Sequence, residues 1–246
     1  SKALSQVCML TSTVRNRGQP VKIPMIHGVG ASNHVQPDDA LSAFLEICFR
    51  EKKQRIVDVG ANVGTLLISL AALGWFERGG EYLGLEPNSL CVYYLEEILR
   101  LNSIENAHVV PIAASNEDGL VTLHSRRKAD KMASLTEEYA RRAHRKMKNG
   151  SIITARKIDN LLADLDFYNA DVFKIDVEGH EDQVFQGMLE SLKRNQPWIT
   201  FESWSDVKAG TSGKRQFLSE FFNDLDYVVF DRQFTAVISK TDGVYD

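Results

Sequence analysis

VDVGANVG, from Val57 to Gly64, joins a β-branched apolar run to a glycine-containing turn that opens onto the helical run Thr65 to Phe76. Ile56 to Gly60 reads as a strand. EYLGLEP (Glu81 to Pro87) follows as a second strand and Ser89 to Leu101 as a second helix, so the segment is a βαβ unit. In that second helix Leu95, Ile98, Leu99 and Leu101 recur at helical spacing while Glu96, Glu97 and Arg100 take the other face, as packing on a sheet requires. Further along, HVVPIAAS (His108 to Ser115), GLVTLHS (Gly119 to Ser125), DVFKIDVEG (Asp171 to Gly179) and WITFES (Trp198 to Ser203) are β-rich, and a helix is expected from Glu181 to Lys193. A last helix, Arg215 to Leu225, leads into YVVFD (Tyr227 to Asp231) and FTAVIS (Phe234 to Ser239), separated by two residues as a hairpin requires. The expected fold is α/β, a doubly wound, mostly parallel sheet with an antiparallel C-terminal hairpin at its edge. Ligands of such sheets lie beyond the carboxyl ends of the strands.

The 246 residues suit a single domain of this kind, and 43% hydrophobic with 25% charged residues excludes disordered and low-complexity classes. A net charge of −4 supplies no chain-wide attraction to nucleic acid or anionic membranes. Three scattered cysteines, Cys8, Cys48 and Cys91, form neither a disulfide framework nor a C-x-x-C pair. With no signal-peptide core and no apolar run long enough to span a bilayer, a cytoplasmic protein is expected.

The turn after Asp58 is G-x-x-x-G (Gly60, Gly64), not the three-glycine fingerprint that seats a pyrophosphate. Glycines admit close approach of a ligand, and the helix start offers free N–H groups. An acid at Asp58, taken to point at the loop, repels phosphate and suits a cationic ligand carrying an amine, the electrostatic character of S-adenosylmethionine. Glu86, ending the second strand, can accept from both hydroxyls of a ribose. Ala113, Ala114 and Ser115 end the third strand with side chains small enough for an adenine to lie past, with Ser115 as a candidate hydrogen-bond partner.

VDVGANVG, LEPN (Leu85 to Asn88), IAAS (Ile112 to Ser115), ARKIDNLL (Ala155 to Leu162) and FKIDVEGHE (Phe173 to Glu181) together resemble the FkbM family of S-adenosylmethionine-dependent methyltransferases. The resemblance spans about Arg55 to Ser203. It implies a class I methyltransferase (Rossmann-like) fold, S-adenosylmethionine as cofactor and, usually, transfer to a hydroxyl oxygen of a small molecule or sugar. By motif position it places Asp58, Gly60, Asn62, Gly64, Glu86 and Asp176 around the cofactor. Residues 1–54 are then an N-terminal extension packing on the core, and residues 55–246 the methyltransferase domain.

An alcohol acceptor must be positioned and must lose a proton. Strand alternation puts Lys174, Asp176 and Glu178 on one side, and His180 follows in the turn. Asp176, Glu178 and His180 are the candidate bases, and a reaction without a side-chain base stays open. Glu202 in FESW is a candidate wall of the acceptor site. With Asp176 it makes only two hard-cation ligands, too few for a metal site, so no metal is expected.

Between GLVTLHS and SIITARKI lies an insert, Arg126 to Gly150, with nine basic residues against three acidic, a balance of +6. Arg141, Arg142 and Arg145 fall at helical spacing and are candidate contacts to an anionic acceptor, either from a mobile lid led by Arg126 to Ser134 or from a solvated helix. MASL (Met132 to Leu135) matches a stretch of the family pattern. The expected acceptor is a small-molecule, sugar or carrier-bound hydroxyl compound, one that carries negative charge if the insert recognises it. Nucleic acid is the alternative and is disfavoured by the single aromatic of the insert, Tyr139. A non-catalytic S-adenosylmethionine-binding protein is the other.

Overall fold

The computed structural model describes residues 11–16, 19–25, 39–125, 133–135, 149–202, 212–230 and 236–238. Its centre is a five-stranded sheet of β3 (Arg55–Val59), β4 (Glu81–Leu85), β5 (Ala107–Val110), β9 (Val172–Ile175) and β10 (Trp198–Phe201). The order is β10-β9-β3-β4-β5, with every neighbouring pair parallel. The chain winds outward from β3 through β4 to β5, then returns to β9 on the other side, so the doubly wound, mostly parallel architecture is borne out. The winding reverses between β3 and β9, and their carboxyl ends flank the crevice where such sheets bind ligands.

Alternation along the strands divides the core. Ile56, Tyr82 and Val172 face α1 (Asp39–Arg50), α2 (Thr65–Ala72) and α3 (Ser89–Leu101). Val57, Val59, Leu83, Leu85, Phe173 and Ile175 face the opposite layer of α4 (Ile158–Asp164), α5 (Glu181–Gly187), α6 (Leu189–Asn195) and α7 (Ser212–Asp224). α2 ends sooner than the pattern predicts, at Ala72, and the chain passes Gly74 at φ +73° into a single 3-10 turn, Phe76–Arg78. The single helix expected over Glu181 to Lys193 is two, α5 and α6, meeting at Met188. The α6 start is fixed by Asp159 of α4, whose carboxylate accepts from the Glu190 and Ser191 amides at 3.0 and 2.9 Å. Capping of this kind satisfies amides that a continuous helix would have bonded internally.

The expected third strand is also two. Pro111 has no N–H to continue the ladder, and the Ile112 amide turns back to the Val110 carbonyl at 2.9 Å. β6 (Ala113–Ser115) therefore leaves the central sheet and pairs parallel with β8 (Asn149–Lys157), which pairs antiparallel with β7 (Gly119–Ser125). The three form a second sheet, β6-β8-β7. The terminal hairpin, β11 (Val229–Phe230) and β12 (Ala236–Ile238), is antiparallel as expected. Among the described residues it pairs only within itself, not as an edge strand of the central sheet.

The N-terminal residues hold a hairpin that the sequence pattern did not signal, β1 (Thr11–Asn16) and β2 (Gln19–Pro24). Val21 and Ile23 are buried against α2 and α3, and the Asn102 side chain clasps both backbone groups of Lys22, at 2.9 and 2.8 Å. None of the described helices is long and apolar enough to cross a membrane. If the hairpin unfolds with the core, Ile23→Ala should cost about 2–5 kcal/mol in one cooperative urea transition. A separate early transition would show an independent N-terminal unit.

Candidate active site

At the carboxyl ends of β3, β4 and β9 lies a cleft, in the place where sheets of this winding bind ligands. Gly60, Asn62, Glu86, Ala114, Asp176, Glu178 and His180 come together in its wall. Gly60 and Asn62 have φ of +79° and +50°, and Gly64, at φ +82°, begins α2 behind the cleft and packs against Leu95. A Cβ at Gly60 would stand 2.0 Å from the Asp176 carbonyl oxygen, so only glycine lets the two loops close on each other.

Glu86 ties this turn to the next strand. One carboxylate oxygen accepts from the Asn62 amide and the other from the Asn88 amide, both at 2.8 Å. Each oxygen keeps a second acceptor direction, so a ligand with neighbouring hydroxyls can still bond there. Burial pushes the Glu86 carboxyl up to about 7, against the opposing pull of the two amides.

Asp58 does not point at the loop, which corrects the sequence-based expectation. It lies on the same sheet face as Tyr82 and Lys174, fully buried. The Tyr82 hydroxyl donates to one oxygen at 2.9 Å and the Lys174 ammonium stands 3.4 Å from the other. The tyrosine reaches across Gly84, where a Cβ would meet its hydroxyl at 2.8 Å. Lys174 also lies 3.3 Å from Asp176 and donates to the Gly60 carbonyl at 3.3 Å. Burial alone would lower the lysine, but Asp58 and Asp176 outweigh it and hold Lys174 above its ordinary value. Burial raises the Asp58 carboxyl, with Lys174 and Tyr82 pulling it back.

Past Ile175 the alternation breaks, because Glu178 takes φ +52° and Gly179 φ +100°. Glu181, fully buried, accepts from the Gly179 amide at 2.9 Å and ties down this turn. The Ser134 hydroxyl donates to the Glu178 carbonyl at 2.7 Å. Ser134 itself exchanges two backbone bonds with His124 of β7, at 2.9 and 3.0 Å, and its neighbours Ala133 and Leu135 line the cleft. The described part of the insert, 133–135, is thus wall where a mobile lead was expected. Ser115 does not line the cleft; its hydroxyl lies 3.1 Å from His180 Nε2. Glu202 is exposed beyond β10 and is not part of the wall. Arg141, Arg142 and Arg145 lie outside the described residues. Lys174 and Tyr82 were not among the expected site residues, although Lys174 lies two residues from Asp176 and Tyr82 four from Glu86, spacings that keep to one side of a strand.

The profile described as Methyltransferase FkbM domain matches residues 58–230, more than half of the chain. The chain belongs to that family. No curated protein matches the sequence. Among solved structures it is similar to the methyltransferase FkbM from Methylobacillus flagellatus KT, at 19% identity and a TM-score of 0.43 over 68% of this chain and 37% of that one. It is also similar to the tRNA (uracil-54, C5)-methyltransferase of Pyrococcus abyssi in complex with S-adenosyl-L-homocysteine, at 15% and 0.36 over 77% and 34%. A third is precorrin-6y C5,15-methyltransferase from Geobacter metallireducens GS-15, at 12% and 0.42 over 79% of each chain. The chain spans little more than a third of the first two proteins.

Two outcomes follow from the buried charges. Asp58→Ala leaves Lys174 short of a buried partner and should destabilise the protein by about 3–5 kcal/mol in urea unfolding. Glu86 has a folded pKa of about 7 against an ordinary 4.5, so the folded state holds its proton more tightly than the unfolded chain does. The stability it contributes is fully present below about 4.5 and is lost as pH rises through about 7, up to about 3 kcal/mol. Glu86→Gln should flatten the fall in melting temperature across that window. An unchanged slope would mean that Glu86 ionises as in the unfolded chain.

Proposed function

We propose that this chain is an S-adenosylmethionine-dependent methyltransferase that methylates a hydroxyl oxygen of a small-molecule, sugar or carrier-bound acceptor. The observation that carries the reading is one cleft, at the reversal of the sheet in a member of the FkbM methyltransferase domain family, walled by Gly60, Asn62, Glu86, Asp176 and His180. The residues fit the cofactor. Glu86 keeps acceptor directions for the two ribose hydroxyls, the close Gly60 turn leaves backbone in reach, and the carboxylates of Asp176 and Glu178 suit an amine and a sulfonium. When bound, S-adenosylmethionine supplies an electrophilic methyl group on that sulfonium.

The chain's own part is to orient the acceptor and take its proton. Asp176 is already paired with Lys174 at 3.3 Å. His180 is the better base, since imidazole ordinarily titrates near ~6.5 and can take a proton at neutral pH. The apolar wall of Ile112, Leu123, Ala133 and Leu135 excludes water from the reacting end. The +6 balance between Arg126 and Gly150 supports an anionic acceptor, with Arg141, Arg142 and Arg145 as its contacts. Residues 55–246 would form the catalytic domain with residues 1–54 as an extension packed on it, and the scattered cysteines support a reducing, cytoplasmic setting.

Calorimetry should show S-adenosylhomocysteine binding that Glu86→Ala weakens at least ~10-fold, about 1.4 kcal/mol; tighter binding of NAD would overturn the reading. Incubating methyl-labelled donor with cell extract and locating the label by mass spectrometry should find an O-methylated product. His180→Ala should lower its formation about 10²-fold without weakening S-adenosylhomocysteine. Replacing Arg141, Arg142 and Arg145 by Gln should weaken the acceptor at low salt only; salt-independent kinetics in the unaltered protein would point to a neutral acceptor.

A further inference from the structure

Lys174 lies between two carboxylates, 3.4 Å from Asp58 and 3.3 Å from Asp176. Both oxygens of Asp58 face donors, the Tyr82 hydroxyl on one and the ammonium on the other, an arrangement suited to the ionised, acceptor-only form. One ammonium among two carboxylates leaves the cluster with a single negative charge. That charge is turned toward the cleft. The side chain of Asp58 is 1% exposed, that of Lys174 15% and that of Asp176 32%, and of the three only Asp176 lines the cleft. Lys174 holds Asp176 Oδ2, while Asp176 Oδ1 has no hydrogen-bond partner among the described residues.

We propose that Asp176, held by Lys174, is the specificity-determining residue by which the cleft distinguishes the sulfonium of S-adenosylmethionine from the thioether of S-adenosylhomocysteine. The proposal rests on the methyltransferase reading above and is independent of the acceptor. The two compounds share an amine, a carboxylate, a ribose and an adenine, and differ by one methyl group and one positive charge. A site that recognised only the shared parts would hold the product as firmly as the donor. If Lys174 faced Asp176 alone, the pair would be neutral and insensitive to that difference. Because Asp58 shares the ammonium from the buried side, the free oxygen of Asp176 presents the remaining charge where a ligand can meet it. Opposite unit charges about 6 Å apart, at an effective dielectric of about 40, attract enough to change an affinity about tenfold.

Calorimetry on the full chain, with each compound titrated separately, measures the ratio of donor to product affinity. Asp176→Asn keeps the shape of the side chain and removes its charge, and should lower that ratio about tenfold. A merely structural role would weaken both compounds equally, and an unchanged ratio overturns the proposal. Sinefungin, which carries an amine on carbon in place of the sulfonium, should lose as much affinity in this variant as the donor does. If it behaves like the product, the variant has lost a contact to the methyl group and not to the charge, and the proposal is overturned. In the unaltered protein, raising salt from ~20 to ~500 mM should weaken the donor more than the product; equal salt dependence overturns the proposal without recourse to any variant. If the ratio moves with Glu178→Gln and not with Asp176→Asn, the discriminating carboxylate is Glu178 and the proposal is likewise overturned. Failure of both compounds to bind the unaltered protein would overturn the methyltransferase reading together with this proposal, whereas an unchanged ratio overturns the proposal alone.

Discussion

The Lys174 ammonium, buried between Asp58 on β3, Asp176 beyond β9 and the Gly60 carbonyl, is the contact on which the rest of the site depends. Two adjacent parallel strands end in a crevice, and nothing in their ladder determines how the following loops face one another. A single cation shared by both loops does. Removing the Asp58 carboxylate from water, and most of the Lys174 side chain with it, is costly unless the charges are matched, and matching them requires the turn after β3 and the loop after β9 to keep their spacing. The Tyr82 hydroxyl completes the set from β4, so three consecutive strands of the sheet are registered by one polar cluster inside an apolar layer.

Above this cluster sits a different kind of constraint. Gly60 closes against the Asp176 carbonyl, and Glu86 spans from the Asn62 amide to the Asn88 amide. The buried ion pairs set the distance between loops, while the backbone clasp sets their orientation. On the far side Ser134 reaches the Glu178 carbonyl from a segment bridged to β7, so the second sheet contributes a wall to a site whose floor belongs to the first.

Local pattern made the central sheet legible, because β3, β4, β9 and their helices have the period and turn residues of βαβ units. The second sheet was less legible. HVVPIAAS has continuous β character on both sides of Pro111, and only the missing N–H of that proline moves Ala113–Ser115 to other partners. The hairpin at Thr11–Pro24 gave little sign because its buried residues, Asn16, Val21, Ile23 and Pro24, are few and its bonds from Asn16 to Ser69 and from Lys22 to Asn102 span 53 and 80 positions. In the site, Gly60, Asn62, Glu86 and Asp176, singled out by motif position, and His180, singled out as a candidate base, all line one cleft. Motif position misplaced Asp58, because a motif gives a residue's position in the chain and not the sheet face it takes. The Ser115–His180 contact joins residues 65 apart in the chain, which no local pattern can foresee.

Glu86 holds two tasks in one group. Burial leaves it about half protonated near pH 7, yet a ligand whose hydroxyls donate to it binds best when that proton has gone. Occupancy of the cleft and ionisation of Glu86 are therefore linked equilibria, and a ligand entering near pH 7 expels part of a proton into the buffer. The heat measured on binding then includes the buffer's own heat of protonation, and the apparent affinity follows the acidity of the surroundings although the ligand's hydroxyls carry no charge.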